Sequence, residues 1–336
     1  MRSVPRPDAL GLSRRGLLAA AFLACTAAPL RAREPRVFRI ATGGISGTYY
    51  PVGNLVASVV NARPCGEGEG CGVPGLIAVV LSSRGSVANI EAIEAGQVES
   101  GFAQADIAHY AYRGEGPFAG RPMRRIRALA RLYNESLHLV VMPDSGIVTL
   151  AQLPGKRLSL DEPGSGTLFD VRLLFEALGL TEQDIRPVYV KPAVALSLMA
   201  RNELDGFFLI AGYPAPSVVE ATGRLAAGLV AVIGAAVERL LQRHPFFVRD
   251  VIPAGVYPAQ PAVPTIGVGA LWLVSADLEE ELVHELARAL FDPTVRPLLD
   301  RGHPKGREIR LENALDSLSV PLHPGAERYY REHGLL

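Results

Sequence analysis

Val37-Phe38-Arg39-Ile40-Ala41-Thr42-Gly43-Gly44-Ile45-Ser46-Gly47-Thr48-Tyr49-Tyr50-Pro51 decides the fold. Residues 37–41 read as a short strand and residues 43–48 as a Gly/Ser/Thr turn. From Tyr49 to Asn61, Val52, Leu55, Val56, Val59 and Val60 recur at the spacing of one helix face. Pro51 is tolerated in the first turn of such a helix. A strand, a glycine-rich turn and a helix make one α/β unit, and the chain repeats it.

Working outward, Leu76 to Leu81 is a buried strand, and Ser83-Arg84-Gly85 turns into a helix from Val87 to Ala95. Gly101-Phe102-Ala103-Gln104 is another strand, followed by a short helix near Ile107 to Tyr112. Ile126 to Leu132 and Leu137 to Met142 read as two further strands. Asp144-Ser145-Gly146 breaks the pattern and a second cycle begins. It comprises a strand at residues 157–160, the loop Pro163-Gly164-Ser165-Gly166-Thr167, and a helix from Leu168 to Leu178 stopped by Gly179. A strand at residues 188–190, a helix from Ala193 to Ala200, a buried strand at residues 206–210 and a helix opened by Tyr213-Pro214 complete it. Pro253, Pro258, Pro261 and Pro264 stiffen a stretch that reads as a crossing between units. A strand from Ile266 to Val274 follows, and Asp277 with Glu280 resembles a capping box for a helix whose apolar stripe is Leu278, Leu282, Leu286 and Leu290.

Two α/β units and a returning C-terminal part predict two lobes with a cleft between them. The expected division is an export signal at 1–32, a first lobe at 33–143, a second at 144–253, and a return to the first at 254–336. The crossings are expected near Met142 to Ser145 and near Ile252 to Val263.

The chain has 336 residues, 49% apolar and 20% charged, with 34 Lys+Arg against 34 Asp+Glu. That apolar content excludes a disordered chain, and the neutral balance gives no basic footprint for nucleic acid. Arg2, Arg6, Arg14 and Arg15 precede an uncharged apolar run from Leu17 to Leu30, which is shorter than a membrane span. Residues 1–32 therefore read as an export signal, and Ser13-Arg14-Arg15-Gly16-Leu17-Leu18 resembles a twin-arginine motif. Cleavage is expected after Ala32, with Cys25 a bystander, which places the protein in the periplasm. Residues 1–32 hold five Arg and one Asp, so the mature chain keeps 29 basic and 33 acidic residues, a net charge of −4. Cys65 and Cys71 bracket a Gly/Glu loop and are expected to form a local disulfide in an oxidising compartment.

No complete G-x-S-x-G, P-loop, dinucleotide fingerprint or zinc-helix motif is present, and the seven histidines are scattered. No catalysis, metal or cofactor is expected. What recurs is a strand running into a Gly/Ser/Thr turn that opens a helix. It occurs at residues 43–50, 82–86 and 163–167. Helix N-termini expose unpaired N–H groups and partial positive charge, so such turns cradle carboxylates without a lysine. Each turn alone is equally well read as a helix cap. Three of them on two lobes favour a ligand cleft. The candidate ligand-binding residues are Ser46, Gly47, Thr48, Tyr49, Ser86, Asn89, Gln104, Asp106, Ser165, Gly166, Thr167 and Tyr213. Gln104 and Asp106 suit an amino or hydroxyl group, although Asp106 equally suits N-cap duty.

The segments at residues 41–51, 85–90, 101–106, 163–167, 205–208, 252–257 and 321–326, taken in order, resemble the TAXI family, the extracytoplasmic solute-binding subunits of one class of TRAP transporters. The resemblance covers nearly the whole mature chain. It implies a type II periplasmic-binding-protein fold, a small organic anion such as glutamate as ligand, and TRAP membrane permease subunits as partners. A monomer is expected. The arginine that pairs the substrate carboxylate in other TRAP binding proteins is not recognisable, and Arg84 is a candidate for a second carboxylate. A binding protein of the same fold that feeds a two-component receptor is the alternative.

Overall fold

A computed structural model describes residues 35–62 and 72–336. The expected signal, with Cys25, and the expected Cys65–Cys71 disulfide lie outside the described residues.

The first repeat forms as the apolar spacing dictates. Strand β1 (Arg36–Ala41) leads to helix α1 (Tyr49–Val60), then β2 (Leu76–Leu81), α2 (Ser86–Glu94), β3 (Ser100–Gln104) and α3 (Ala105–Arg113). Helix α1 buries Val52, Val56, Val59 and Val60 on one face. β1 pairs parallel with both β2 and β3, as strands joined by helical crossovers do. The second repeat is β5 (Arg157–Ser159), α4 (Gly166–Leu178), β6 (Arg186–Val188), α5 (Pro192–Ala200), β7 (Gly206–Ala211) and α6 (Pro216–Arg224). Gly179 ends α4 in the left-handed region, φ 71°, where a side chain would be strained.

Two long antiparallel strands, β4 (Ile126–Val141) and β10 (Val263–Ser275), run through both repeats. The sheet order is β2-β1-β3-β10-β4-β7-β5-β6, with β8 (Gly228–Val230) paired to β4 and β9 (Phe247–Ile252) paired to β10. Beyond Ser136 and Gly267 the two strands change neighbours. β4 pairs β7 and β8, and β10 pairs β9. The sheet therefore has two halves, continuous through this pair of strands.

Three expectations differ from this arrangement. Residues 126–141 form one strand rather than two, because Asn134, Glu135 and Ser136, which interrupt the apolar pattern, still pair across to β10. The proline stretch is a hairpin connection, since Val263 lies opposite Ile252. Asp277 does not cap a helix; it accepts from Arg125 Nε at 2.9 Å, and α8 (Glu280–Phe291) starts three residues later behind Glu279. Sequence periodicity also missed α7 (Ala235–Arg243), α9 (Arg296–Gly302) and α10 (Pro324–Glu332), which are short.

Both faces of the sheet are covered. Adjacent Phe207 and Phe208 on β7 point into different clusters, as strand alternation requires. On the first half, α1, α8 and α10 pack over Phe38, Leu129 and Trp272. Trp272 is fully buried and meets Phe38 edge-on at 6.5 Å. Trp272→Ala is expected to destabilise the fold by about 3–5 kcal/mol, read as a lowered denaturation midpoint in urea.

Candidate functional site

The carboxyl ends of β1, β2, β3, β5 and β7 converge on a cavity of about 60 Å³ between the two halves of the sheet. From the first half it is lined by Gly43, Gly44, Ser46 to Tyr49, Arg84 to Ser86 and Gln104. From the second it is lined by Asp161, Glu162, Ser165 to Thr167, Lys191, Pro192 and the end of β7, with Glu135 at the junction. The N-termini of α1, α2 and α4 all open onto it. Thus nine of the twelve candidate residues line one cavity: Ser46, Gly47, Thr48, Tyr49, Ser86, Gln104, Ser165, Gly166 and Thr167.

Asn89, Asp106 and Tyr213 do not line it. Asn89 Nδ2 donates to the carbonyls of Thr42 (2.6 Å) and Phe102 (2.7 Å), and its Oδ1 accepts from Ser83 (2.6 Å), so it ties the turn after β2 to β1 and β3. Tyr213 lies under the Lys305 ammonium, 3.7 Å from the ring centre. Asp106 is buried at the start of α3, against Asp170 of α4.

The hydroxyls of the turns have structural partners. Thr48 Oγ1 donates to the Gly212 carbonyl across the halves, Thr167 Oγ1 accepts from the Ile210 N–H (3.0 Å), and Ser165 Oγ caps α4 by accepting from the Leu168 N–H (3.2 Å). The halves also meet directly. Ala88 N–H donates to the Gly164 carbonyl (3.1 Å) and Ser217 N–H to the Ser46 carbonyl (3.1 Å). A Cβ on Gly166 would stand 1.4 Å from Gln104 Oε1, so only glycine fits there.

A polar chain crosses the site. Tyr49 hydroxyl donates to Glu135 Oε2 (2.6 Å) and lies 3.5 Å from Ser86 Oγ. Ser86 Oγ donates to Gln104 Oε1 (3.1 Å), and Gln104 Nε2 donates to Asp170 Oδ2 (2.5 Å). Glu135, Asp106, Asp161 and Asp170 are all buried. Burial lifts Glu135 to about 8, a nearby Asp106 charge adds to this, and the Tyr49 bond and the Lys305 charge oppose it. Burial lifts Asp161 to about 7 against the Glu162 N–H and the Ser165 and Thr167 hydroxyls. Asp161 also adopts φ 71°, uncommon for a residue with a side chain. Burial, then the facing Asp106 charge, hold Asp170 well above the usual range, and burial raises Asp106 too. Asp106 faces Asp170 across the halves, with the Ile107 and Asp106 N–H groups opposing the rise at Asp106, and two buried carboxyls this close resist ionising together.

Arg84 is exposed at the rim, packed on Gly164, with no ion-pair partner among the described residues. Lys191 pairs with Glu162 at 3.4 Å. Glu135, Asp161 and Lys191 carried no sequence signal. Glu135 sits where the apolar pattern breaks, and Asp161 lies two residues beyond a strand only three residues long.

Among solved structures, MatC of Rhodopseudomonas palustris with bound malate is similar over 89% of this chain and 97% of its own, at TM-score 0.53 and 13% identity. A protein of Bordetella bronchiseptica RB50 matches over 89% and 98%, at TM-score 0.51 and 13% identity. The alkanesulfonate-binding protein SsuA of Xanthomonas axonopodis pv. citri bound to MOPS matches over 89% and 84%, at TM-score 0.46 and 17% identity. At these identities the first two establish the fold, a two-lobed α/β arrangement of the solute-binding type. Among the described residues no helix is long and apolar enough to cross a membrane. With residues 40–334 matching its family profile, the chain belongs to the NMT1-like family.

Proposed function

We propose that this chain is a non-catalytic, periplasmic solute-binding protein of the TAXI type that captures a small organic anion and hands it to a TRAP-type permease. The observation that carries the reading is the convergence of three helix N-termini on one cavity between the halves. Their N–H groups, with Arg84 at the rim, supply the positive potential a carboxylate needs. The malate bound to MatC is a small anion. The division into two lobes belongs to this proposal, with the halves meeting within β4 near Ser136 and within β10 near Gly267 rather than at the boundaries 143/144 and 253/254 expected from sequence.

The cavity of about 60 Å³ is well below the roughly 150 Å³ that holds a benzene ring. Any solute larger than a few atoms must therefore part the halves, as hinged closure permits. Thermal-shift screening of the purified mature chain against carboxylates tests the function. At a hundredfold excess over Kd, ligand adds about 2.7 kcal/mol, an upward shift of several degrees. A panel in which small carboxylates leave the midpoint unmoved, while apolar or purely cationic solutes raise it, overturns the reading.

A further inference from the structure

Asp106 on α3 of the first half and Asp170 on α4 of the second stand behind Gln104, outside the cavity. They are 0% and 3% exposed. The two carboxyls are hydrogen-bond neighbours, and such a bond exists only while one of them carries a proton to donate. Gln104 Nε2, from the half of Asp106, reaches Asp170 Oδ2 at 2.5 Å and adds a second tie across the halves. The charges that act most on Asp170 are those of Asp106 and Glu135, both negative, so no cation replaces the proton. Ionised together, two carboxylates in this buried space repel each other.

We propose that Asp106 and Asp170 are a proton-operated catch between the halves, which closes the ligand-free protein at acidic pH and lets it open as pH rises. The catch rests on the hinged opening of the solute-binding reading and adds a control that does not depend on which solute is bound. While the halves are closed, the pair keeps one proton, donated by Asp170 to Asp106. When the halves part, both carboxyls meet water, the Asp170 O–H bond breaks, its electron pair stays on the oxygen, and the proton passes to solvent. The closed form therefore binds one proton more than the open form. Its advantage is full below the ordinary carboxylate range. That advantage is lost as pH rises towards the closed-form value of Asp170, which burial and the Asp106 charge hold well above that range. Within this window the closed-to-open ratio falls about tenfold per pH unit.

The groups facing the pair come from both halves. On β3, Gln104 donates to Asp170 and is itself held by Ser86 of α2. On β4, Glu135 opposes the ionisation of Asp170, as Asp106 opposes that of Glu135. One turn along α3, burial and then the Asp106 and Asp170 charges push Tyr110 up to about 12, so it stays neutral. Its ring meets Phe169 of α4 at 5.1 Å, and its hydroxyl lies 2.9 Å from His244 Nδ1 at the end of α7. Burial lowers His244, which brings no charge near neutral pH. Farther out, Glu115 and Glu176 act on Tyr110 with the same sign. Other ties across the halves, Thr48 to Gly212, Ala88 to Gly164 and Ser217 to Ser46, are neutral and do not titrate. Asp161 takes its bonds from Glu162, Ser165 and Thr167 of its own half. The Asp106–Asp170 contact thus joins titration to the meeting of the halves.

The test is small-angle scattering of the ligand-free mature chain at about pH 5.5 and about pH 8.5, with far-ultraviolet circular dichroism to follow its helices. The radius of gyration is expected to be larger at the higher pH while the helix signal is unchanged. Hydrogen exchange, corrected for the intrinsic rate, is expected to lose at least about tenfold in protection at the Ala88 and Ser217 N–H groups, whose acceptors lie on the opposite half. Asp170→Asn and, separately, Asp106→Asn should stay compact and protected at both pH values, because an amide donates across the gap without a proton to lose. An unchanged radius with unchanged protection in the parent overturns the catch. Expansion accompanied by loss of helix signal also overturns it, since unfolding then accounts for the change. An opening of the same size in either variant assigns the effect to Glu135 or Asp161 and overturns the catch as well. The parent measurements need no variant, so a variant that fails to fold does not shelter the inference. Each of these failures leaves the solute-binding reading to its own thermal-shift test.

Discussion

The melting midpoint of the ligand-free protein falls as pH rises from about 5 to about 8, by roughly 10 °C or more. Glu135 and Asp161 ordinarily ionise near 4.5 and 3.8, and in the fold they ionise at about 8 and about 7. For each the folded value lies above the unfolded one, so folding takes up protons. Their contribution is fully present below about pH 4 and is lost as pH rises through the folded values. Forcing either to ionise costs on the order of 4 kcal/mol, against a total stability of about 5–15 kcal/mol. Asp106 and Asp170 push in the same direction. On the acid side, carboxylates held low by arginines, such as Asp205 beside Arg157, lose their stabilisation instead. The optimum therefore lies near pH 4 to 5, on the acidic side of the usual range of about 5–8.

Asp170→Asn separates the pair from the rest. The amide carbonyl can still accept from Gln104, and its N–H₂ can donate to Asp106. The variant is expected to melt above the parent near pH 8 and to match it near pH 5. Asp106 lies on α3 of one half and Asp170 on α4 of the other, so the pair forms only where the halves meet. Scanning calorimetry across this range decides the matter. A midpoint that is flat or rising from pH 5 to pH 8 sinks the account.

Gly166→Val is expected to lower solute affinity roughly hundredfold, about 2.7 kcal/mol, while the chain still folds. Position 166 is the first residue of α4, where side chains are ordinarily tolerated. Here a Cβ would overlap Gln104 Oε1 at 1.4 Å and Cδ at 2.6 Å, and touch Ser86 Oγ at 3.0 Å. Gln104 cannot easily swing away, since Asp170 holds its Nε2 and Ser86 its Oε1. Gln104 and Ser86 belong to the half opposite Gly166, so the relief available is to separate the halves rather than to unfold one. Small-angle scattering should report a larger radius of gyration for the variant, with little solute-induced contraction. Affinity within threefold of the parent would show that the Gly166–Gln104 contact is dispensable for closure.

The turns that line the cavity and the two halves were legible because they rest on local rules. Gly43 to Thr48, Ser83 to Ser86 and Pro163 to Thr167 each join a strand to a helix, and such turns lie at the carboxyl edge of a parallel sheet whatever the rest of the chain does. Gly179 could be placed at the end of its helix from sequence alone for the same reason. Asn89 and Asp106 stand in the first turns of α2 and α3, next to the strand ends, but turn inward, and residue type does not reveal that choice. In Asn89 the side-chain amide satisfies backbone carbonyls of β1 and β3.

Sequence by itself determined the α/β class, the repeated strand–turn–helix units and the set of turns that meet at the site, because apolar period and glycine position act over a few residues. Only the tertiary structure decided that β4 is unbroken, that Glu135 lines the cavity, and that Asp106 and Asp170 share one buried space. These depend on which groups, distant along the chain, exclude water from one another. Asp106 and Asp170 are ordinary carboxylates until two helices from opposite halves bring them together, and burial then changes their chemistry.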